Sequence, residues 1–473
     1  MDFLPPELER ILRDTPQLQR AFLVGGCVRD ALLGLPPGKD FDVEVFGLGY
    51  EQLSAALSRW GRTDLVGRSF GVVKLSTDSG HNYDFTIPRT DSKVAAGHKG
   101  FAVQFDPALT LQEAAARRDF TINALMYDPR ARQVLDFFGG AADLKNRILR
   151  HTTAAFAEDP LRVLRGMQFA ARFDLRAAPE TVALSRQIKQ SYAELAVERV
   201  REEWFKWAQR ASRPSVGLRF LVDTGWVDHF PEIKALIGTP QEPEWHPEGD
   251  VFIHTCHCCD ALARLPDWQG ADAASRLVYM LAVLAHDFGK PATTVQALRE
   301  GRLRIVSPGH EQVGAELAKA FLGRLRAPLS VQERVIPLVR HHLFHLQTIA
   351  DRAVRRLARR LEPESIQGLC LVMTADSQGR PPRPAVEPET IRALLARAQE
   401  LAVKQKPPRP ILMGRHLIQL GLTPGDQFGP ILDRAYDAQL EGAFHNLPQA
   451  LRWLAGRDDL PLPEDVKARL RNQ

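Results

Sequence analysis

Two aspartates one residue apart, Asp40 and Asp42, are the first side chains that could do chemistry together. In an extended strand, residues i and i+2 point to the same side, so both carboxylates project from one face about 7 Å apart at the backbone. Like charges held this close are costly unless a cation lies between them. The pair therefore predicts a site for one or two Mg²⁺ ions, which would bridge a triphosphate and activate an attacking hydroxyl.

A glycine pair precedes these aspartates and is typical of a phosphate-binding turn. Gly25 and Gly26 follow the strand-like AFLV and come before the helical VRDALLGL. Glycines at such a junction let the backbone turn tightly and approach a ligand. The start of the following helix then offers unpaired N–H groups to phosphate oxygens, and Arg29 adds a charged donor one turn later.

A second set of candidate ligands lies in the middle of the chain, on consecutive helical stretches. Imidazoles and carboxylates on several helices can converge inside a bundle and hold a divalent metal. Water bound to such a metal becomes a hydroxide nucleophile near neutral pH. The candidates are His254, His286, Asp287, His310, His341 and Asp376. His257, His342 and His345 are interpreted as packed or solvent-facing, and Cys256, Cys258 and Cys259 as small buried residues, since no second C-x-x-C completes a zinc site.

The elements that must position these residues differ along the chain. In the first 150 residues, short β-branched runs alternate with helical patches, which predicts a small α/β domain. The runs are AFLVGG, FDVEVFG, GVVKLST, YDFTI and QVLDFFGG. After Phe156 the pattern is almost continuously helical. Breaks rich in Pro and Gly at 239–250, 377–388 and 406–429 divide this part into two or three all-helical segments, and 239–250 is interpreted as a linker.

Composition argues against some classes of protein but does not identify the function. The 473 residues are 44% hydrophobic and 25% charged, values of a soluble globular protein of two to four domains. No apolar run reaches the roughly 20 residues that a membrane helix needs, and MDFLPPELER has no secretion signal. Five cysteines form no disulfide framework, so we expect a cytoplasmic protein. The net charge of +5 fits a nucleic-acid partner or a slightly basic enzyme equally well.

The glycine turn and the D-x-D pair open a series of motifs that resembles a known family. The series continues with RRDFTINAL (117–125), LDFFGGAADL (135–144), EDPLRVLRGMQFAARF (158–173) and VERVREEW (197–204). It resembles the head of class II tRNA nucleotidyltransferases and bacterial poly(A) polymerases, within the polymerase-β superfamily. The resemblance implies a metal-dependent transfer of nucleotides to an RNA 3′ end, with Asp40 and Asp42 as catalytic Mg²⁺ ligands and CTP and ATP as substrates. Asp84, in the strand-like YDFT, is a third candidate acid.

The resemblance also implies which residues contact the nucleotide. RRDFTINAL would contribute Arg117, Arg118, Asp119 and Asn123, with Phe120 and Ile122 in the core. The family is thought to select the base with its fourth motif, which would place Glu158, Asp159 and Arg162 at the base, and Arg165 is expected to meet phosphate. Many relatives carry a further arginine where this chain has Gln168.

The residues of the fourth motif explain such a selection chemically. Asp159 and Arg162 share a helix face, and Pro160 suits the first helical turn. A carboxylate accepts from an exocyclic amine, and a guanidinium donates to ring acceptors. Cytosine and adenine both match this order, whereas uracil and guanine present a carbonyl where the amine should be.

Two further segments of the head carry expectations. Residues 89–105 are rich in Gly, Ala, Lys and Ser and predict a mobile loop; in relatives a loop here helps the switch from adding C to adding A. In VERVREEW, Glu198 and Glu202 share a face beside Arg199 and Glu203, which we interpret as a structural clamp below the nucleotide pocket.

The second set of ligands resembles the HD phosphohydrolase domain, with His254, His286, Asp287 and Asp376 as the H…HD…D ligands. His310 and His341 match positions that add ligands to a second metal in some HD proteins, and Lys290 is available to a phosphate. An HD domain after such a head is similar to the arrangement of the bacterial multifunctional CCA group. That group is credited with 2′,3′-cyclic phosphodiesterase, 2′-nucleotidase and phosphatase activities, which implies a divalent transition metal here.

These observations predict an α+β protein with a polymerase-β-like nucleotidyltransferase head, a helical neck, an HD domain and C-terminal helices. The predicted bounds are 1–151, 152–240, 241–400 and 401–473. The expected function is template-independent addition or repair of the 3′-terminal CCA of tRNA, with the helical body holding the acceptor and T arms. A poly(A) polymerase and a CC-only or A-only enzyme remain alternatives. In the last segment, basic side chains could contact tRNA phosphates or simply be solvated: Lys404, Lys406, Arg409 and Arg415.

Overall fold

The computed structural model describes residues 3–36, 38, 40–64, 71–93, 101–346 and 349–471, without the side chains of 90–93, 101–103, 346 and 471. The chain forms two compact units. The first comprises Met1–Lys234 with Arg324–Arg326, and the second comprises Ala235–Gly323 with Ala327–Gln473. No helix among the described residues is long and apolar enough to cross a membrane.

The first unit is built on a mixed seven-stranded sheet. The strands of the first unit are β1 Ala21–Val24, β2 Asp42–Val45, β3 Gly61–Asp64, β4 Val72–Thr77, β5 Asn82–Thr86, β6 Arg89–Lys93, β7 Phe101–Phe105, β8 Met126–Asp128, β9 Gln133–Leu135, β10 Ile148–Leu149 and β11 Arg176–Ala177. The strand order of the sheet is β3-β4-β5-β2-β1-β8-β9, and β2 runs parallel to β5 and antiparallel to β1. The interior strand β1 is buried at all four residues, as its sequence AFLV predicts.

Helices cover this sheet and continue beyond it. Those of the first unit are α1 Pro6–Asp14, α2 Gly26–Leu32, α3 Tyr50–Leu57, α4 Leu111–Ala116, α5 Gly140–Lys145, α6 Leu161–Phe173, α7 Pro179–Gln187, α8 Val197–Arg210, α9 Pro214–Asp223 and α10 Pro231–Leu236. The head core packs apolar residues of α1, α2 and α3 against β1, β2, β4 and β5. The predicted core residues Phe120 and Ile122 are fully buried.

Helix α6, which carries the fourth motif, is fixed by close packing on α9. A Cβ on Gly217 of α9 would lie 2.6 Å from the Met167 carbonyl oxygen, and one on Gly166 would lie 2.8 Å from the Phe220 ring. Only glycine permits such an approach at these two positions. Helix α6 is therefore held firmly enough to present its polar side chains in a fixed orientation.

The second unit is mainly helical, but it is not all-helical as the sequence pattern predicted. Strands β12 Val295–Arg299 and β13 Arg302–Val306 form an antiparallel hairpin whose turn, Glu300-Gly301, has positive φ at both residues. The helices are α11 Val251–Arg264, α12 Pro266–Gly270, α13 Ala273–Ala285, α14 Lys290–Thr293, α15 His310–Arg324, α16 Leu329–His341, α17 Asp351–Leu361, α18 Ile366–Gln378, α19 Glu389–Glu400, α20 Gly414–Gln419, α21 Phe428–Glu441, α22 Leu447–Ala455 and α23 Glu464–Arg471.

The C-terminal helices have a core of their own and are joined to α17 by ion pairs. Leucines, alanines and Phe444 from α20 to α23 form a separate buried cluster. On α17, Arg359 pairs with Asp437 at 2.5 Å and with Asp433 at 3.5 Å, and Arg356 pairs with Glu441. The arginines of α17 therefore hold α21 in place.

The segment 89–105 differs from the expected loop. Strands β6 and β7 pair in antiparallel register from Arg89↔Phe105 to Lys93↔Phe101, so its two arms form a hairpin. The prediction of mobility concerned residues 94–100 as well, and these lie outside the described residues.

Candidate active sites

The sheet of the first unit brings the predicted carboxylates together. Asp42 begins β2, and its Cα partner on the parallel strand β5 is Asp84. Asp40 lies two residues before Asp42 and is exposed. Loss of water around the Asp42 carboxyl raises its pKa; the Arg118 guanidinium opposes this rise, and Asp84, Asp40 and Glu44 add to it. Neighbouring carboxylates of this kind are what a divalent cation would neutralise, so these donors fit a metal.

The glycine turn lies at the end of the adjacent strand, β1. Gly25 has φ +72°, a conformation that favours glycine, and a Cβ there would lie 2.9 Å from an Arg118 nitrogen. Arg29 is buried on the inner side of α2, where it donates to Asn123 Oδ1 at 2.5 Å and lies over the Phe173 ring at 4.4 Å. Since its guanidinium is held in this way, Arg29 supports Asn123 as well as bordering the cleft.

Glu44 is a site residue that the sequence reasoning missed. It is fully buried on β2, and its two carboxylate oxygens accept from Arg117 at 2.9 Å and from Arg118 at 3.3 Å. The available signal was the alternation of Asp40, Asp42 and Glu44 on one strand face. Glu44 thus fixes both arginines of the second motif beside the aspartates.

Asp119 connects the second motif to α6. Its Oδ1 accepts from Phe120 N and Asn123 Nδ2, each at 2.9 Å, and its Oδ2 accepts from Arg165 Nε at 2.7 Å. Burial alone would raise the pKa of Asp119, but Arg165 and these hydrogen bonds, with the charge of Arg162, lower it. The carboxylate is therefore charged and orients Asn123 and Arg165.

Asp159 and Arg162, the pair expected to select the base, lie at the start of α6, as their spacing predicts. Asp159 Oδ1 accepts from Leu161 N at 3.1 Å, and its Oδ2 accepts from Arg199 at 2.9 Å. The Arg162 guanidinium donates to the carbonyls of Ala155 at 2.9 Å and Arg117 at 2.8 Å. A guanidinium has five N–H donors and each carboxylate oxygen has two lone pairs, so both groups retain capacity for a ligand.

A cleft of about 500 Å³ collects these side chains. It is bordered by Asp42 and by every predicted nucleotide-binding residue except Glu158: Gly25, Gly26, Arg29, Arg117, Arg118, Asp119, Asn123, Asp159, Arg162 and Arg165. Asp40 borders a second cleft, which shares Asp42, Arg29 and Arg172 with the first. The first cleft also contains residues that the sequence reasoning did not place there: Arg89, Gln168, Phe169, Arg172, Arg199, Lys206 and Arg210. This excess of cations suits a triphosphate and an RNA end.

In the second unit, four imidazoles converge, and each turns the same ring nitrogen away from the centre. Each Nδ1 contacts a protein oxygen: His254 contacts Glu248 Oε1, and His286, His310 and His342 contact backbone carbonyls, all at 2.7 Å. Each Nε2 is left to face the centre of the cluster. Imidazoles that ligate metals are oriented in this way.

Asp287 lies at that centre and is 1% exposed. Its Oδ2 is 3.2 Å from His286 Nε2 and 3.6 Å from His254 Nε2, whereas its Oδ1 is 3.3 Å from His310 Nε2 and 4.0 Å from His342 Nε2. When Nδ1 carries the proton, each Nε2 lone pair faces a carboxylate oxygen, an arrangement that a metal cation between them would stabilise. The donors fit one metal ion beside the Asp287 carboxylate, or two ions on its opposite sides.

Asp376 and two cations complete the floor of this site. Asp376 Oδ1 lies 3.1 Å from His254 Nε2 and accepts from Arg380 at 2.7 Å. Lys290 Nζ lies 2.7 Å from Asp287 Oδ2 and donates to Gln241 Oε1 at the same distance. Burial alone would raise the pKa of Asp287, but the adjacent charges of the His286 imidazole and the Lys290 ammonium group hold this pKa well below its usual range. Lys290 and Arg380 are placed to meet a phosphate.

The histidines predicted to ligate a second metal were His310 and His341, and the structure differs from this prediction at one of them. His342 is the residue that groups with Asp287 and His310, whereas His341 borders a surface pocket with Arg340 and Arg360. Neighbouring residues on a helix point about 100° apart, so only one of the two can face the cluster. Burial and the charges of His286 and His310 lower the pKa of His342 to about 3, which keeps it neutral, the form that ligates metal.

Three further residues join the cluster without having been predicted. His246 and Glu248 come from the segment interpreted as a linker, and Cys258 lies one turn after His254 with Sγ 3.3 Å from His254 Nε2. Burial alone would raise the pKa of Glu248, but hydrogen bonds to His246 and His254 lower it to about 2. Glu248 is therefore an anion that fixes His254.

Comparison with known proteins identifies both units. Residues 21–150 match the model of the poly A polymerase head domain, and residues 251–379 match that of the HD domain. The multifunctional CCA protein of Xanthomonas campestris pv. campestris (strain B100) is 37% identical over 403 residues, covering 81% of this chain and 93% of that protein. The chain belongs to the multifunctional CCA protein family. It is accordingly a tRNA nucleotidyltransferase of the CCA-adding type that carries an HD domain.

Other members and solved structures are similar across most of the chain. The multifunctional CCA protein of Methylococcus capsulatus (strain Bath) is 38% identical over 374 residues, which cover 76% of this chain and 82% of that protein. The Bacillus stearothermophilus CCA-adding enzyme in complex with CTP has a TM-score of 0.63 at 22% identity, covering 99% of this chain and 100% of that chain. The Thermotoga maritima CCA-adding enzyme complexed with tRNA has a TM-score of 0.57 at 18% identity, covering 100% and 96%. These two structures share the fold.

Proposed function

We propose that the first unit adds C, C and A in turn to the 3′ end of tRNA, using CTP and ATP in the cleft between β2 and α6. The observation that carries this proposal is the set of acceptors and donors at Asp159 and Arg162 beside the aspartate pair. Asp40 and Asp42, with Asp84, would hold Mg²⁺, which when bound stabilises the charge of the departing pyrophosphate and activates the 3′-hydroxyl.

The cleft residues have distinct roles in this reaction. The Gly25-Gly26 turn and the arginines fixed by Glu44 would receive the triphosphate, and Arg165, oriented by Asp119, would meet another of its oxygens. Asp159 would accept from the exocyclic amine of cytosine or adenine, and Arg162 would donate to the ring acceptors. Uracil and guanine would leave the carboxylate facing a carbonyl, which is unfavourable when both groups are desolvated.

Primer extension on tRNA that lacks CCA tests this proposal. With the wild type, we expect two residues to be added from CTP and a third only when ATP is also present. The double variant Asp40→Ala/Asp42→Ala should add none, whereas Asp78→Ala, on the turn between β4 and β5, should behave as wild type. Long A tails would instead support the poly(A) polymerase alternative.

We further propose that the second unit hydrolyses phosphate esters at the group of imidazoles and carboxylates centred on Asp287, called the Asp287 cluster below. The substrate would be a nucleoside 2′,3′-cyclic phosphate or 2′-phosphate. A divalent transition metal is the ion that these imidazole-rich ligands prefer, and it would supply a hydroxide nucleophile when bound. Lys290 and Arg380 would bind the phosphate oxygens, and Glu248 would keep His254 in its ligating orientation.

Hydrolysis of adenosine 2′,3′-cyclic phosphate after chelation and metal addition tests this second proposal. We expect activity to disappear on chelation, return with a transition metal, and be absent from Asp287→Asn. Asp267→Asn, on the exposed surface of α12, is the matched control. Hydrolysis that survives in Asp287→Asn would place the activity elsewhere.

A further inference from the structure

The polar cluster around Asp287 in the second unit borders a pocket that is also lined by apolar side chains. The pocket measures about 430 Å³. Its floor carries Asp287, Lys290 and Arg380, whereas apolar side chains line it further out: Trp245, Ile305 and Leu343. A ligand that fills it would present a phosphate to the floor and an apolar group to the mouth.

Trp245 is the most unusual of these side chains. It is 51% exposed, although a large aromatic ring gains free energy from burial. Arg383 lies over its ring at 5.8 Å from the centroid and donates to the carbonyl of the preceding residue, Glu244. The ring is therefore braced on a cation while half of its surface stays accessible at a pocket.

The segment that carries Trp245 is tied to the hairpin on the same side of the pocket. Glu242 accepts from Ile305 N at 3.0 Å, and Arg304 pairs with Glu244 at 2.5 Å and with Glu242 at 3.6 Å. These contacts hold Trp245 and Ile305 on one wall. The segment interpreted from sequence as a linker thus forms part of a ligand pocket.

We propose that Trp245 stacks on the nucleobase of the substrate and makes the HD site selective for nucleotides over phosphate esters without a base. This inference rests on the proposed hydrolysis at the Asp287 cluster. A base is planar and apolar on its faces, and stacking on an aromatic side chain accepts any base. Trp245 would thereby act as a specificity-determining residue that contacts substrate and takes no part in the chemical step.

Kinetics with two esters test the proposal, using wild type, Trp245→Ala, Trp245→Phe and Leu298→Ala. Adenosine 2′-phosphate carries a base, and glycerol 2-phosphate carries none. Leu298 is 74% exposed on β12 and does not border the pocket, so its variant controls for loss of an exposed apolar side chain. We expect Trp245→Ala to raise KM for adenosine 2′-phosphate about tenfold with kcat little changed. Trp245→Phe should recover most of the loss, and glycerol 2-phosphate and the Leu298→Ala control should be unaffected.

Equal losses on both esters in Trp245→Ala, or no change on either, would overturn the inference. If the wild type hydrolyses neither ester, the hydrolase proposal fails, and the same proteins are then compared by titration calorimetry with adenosine 2′-phosphate. Weaker binding by Trp245→Ala alone would still support stacking. Equal affinity in all four proteins would overturn it.

Discussion

Single side chains in the first cleft are held in position by neighbouring groups of the protein. Asp159 is held by Arg199 and by the start of α6, and Arg162 is held by two carbonyls. Because these contacts fix both groups before a nucleotide enters, little conformational entropy remains to be lost on binding. In the proposed reaction, selection of the base would then depend on the direction of a few hydrogen bonds.

Arg162→Ala tests this selection. Losing charge-assisted hydrogen bonds of about 1.5–3 kcal/mol should lower kcat/KM for CTP and ATP roughly 10- to 100-fold and raise the incorporation of UMP relative to CMP. Single-turnover incorporation of each nucleotide measures both effects. Arg186→Ala, on α7 and outside the cleft, should retain wild-type discrimination. Discrimination that is unchanged in Arg162→Ala would remove this residue from base selection.

The neighbouring histidines of α16 offer a matched pair in the second site. His342→Ala should lower the amount of metal retained after dialysis, because it removes an imidazole 3.2 Å from His310 that faces Asp287. His341→Ala should retain the wild-type amount, since that ring borders a different pocket. Elemental analysis of the purified proteins measures both. The reverse result would show that His341 is the ligand.

At the scale of elements, local sequence patterns correctly predicted those strands and helix ends that depend mainly on neighbouring residues. The runs AFLV and FDVEV became β1 and β2, and the helix after Asp159-Pro160 begins at Leu161. The sequence could not reveal Glu44 as a buried anchor or Glu248 as the partner of His254, because their contacts come from distant parts of the chain. The choice of His342 over His341 depends on the rotation of α16, which the spacing of apolar residues does not define at a helix end.

Helix α1 packs on the sheet through apolar side chains, and one of its carboxylates adds a set of polar contacts to β4, β5 and the turn between them. Glu7 accepts from Ser79 at 2.7 Å, from Thr77 and Tyr83 at 3.2 Å each, and contacts His81 Nδ1 at 2.8 Å. Partial burial would raise the pKa of Glu7, but these hydrogen bonds outweigh it and lower the pKa. A lowered pKa means that the stabilisation is complete above the unfolded pKa of about 4.3 and is lost as pH falls through the folded value.

Glu7→Gln should therefore destabilise the first unit by about 1 kcal/mol at pH 7. The difference from wild type should shrink as the pH falls below about 4, where the wild-type carboxylate is protonated as well. Urea unfolding at several pH values, followed by the tryptophan fluorescence of the whole chain, measures this. Glu113→Gln is a useful comparison because Glu113 forms a local capping box on α4 and holds no other element. A pH-independent difference would assign the effect of Glu7→Gln to packing.

At the scale of the whole molecule, the two compact units each contain a complete candidate site. Every residue of the first cleft lies before Lys234, and every residue of the Asp287 cluster lies after Ala235. Each unit also has its own buried core, so the loss of one site leaves the groups of the other in place. Two chemistries on one chain would then be separable by single substitutions.

Asp42→Ala and Asp287→Asn, assayed side by side, test that separation. Asp42→Ala should abolish nucleotide addition to tRNA and leave hydrolysis of adenosine 2′,3′-cyclic phosphate within about twofold of wild type, since none of the described residues of the first unit is a ligand in the Asp287 cluster. Asp287→Asn should show the opposite pattern, because its loss uncouples four imidazoles without touching Asp40 or Asp42. Both activities are measured on the same preparations, with thermal unfolding to confirm that each variant is folded. If either substitution removes both activities from a folded protein, the sites are coupled, and the assignment of one reaction to each unit is wrong.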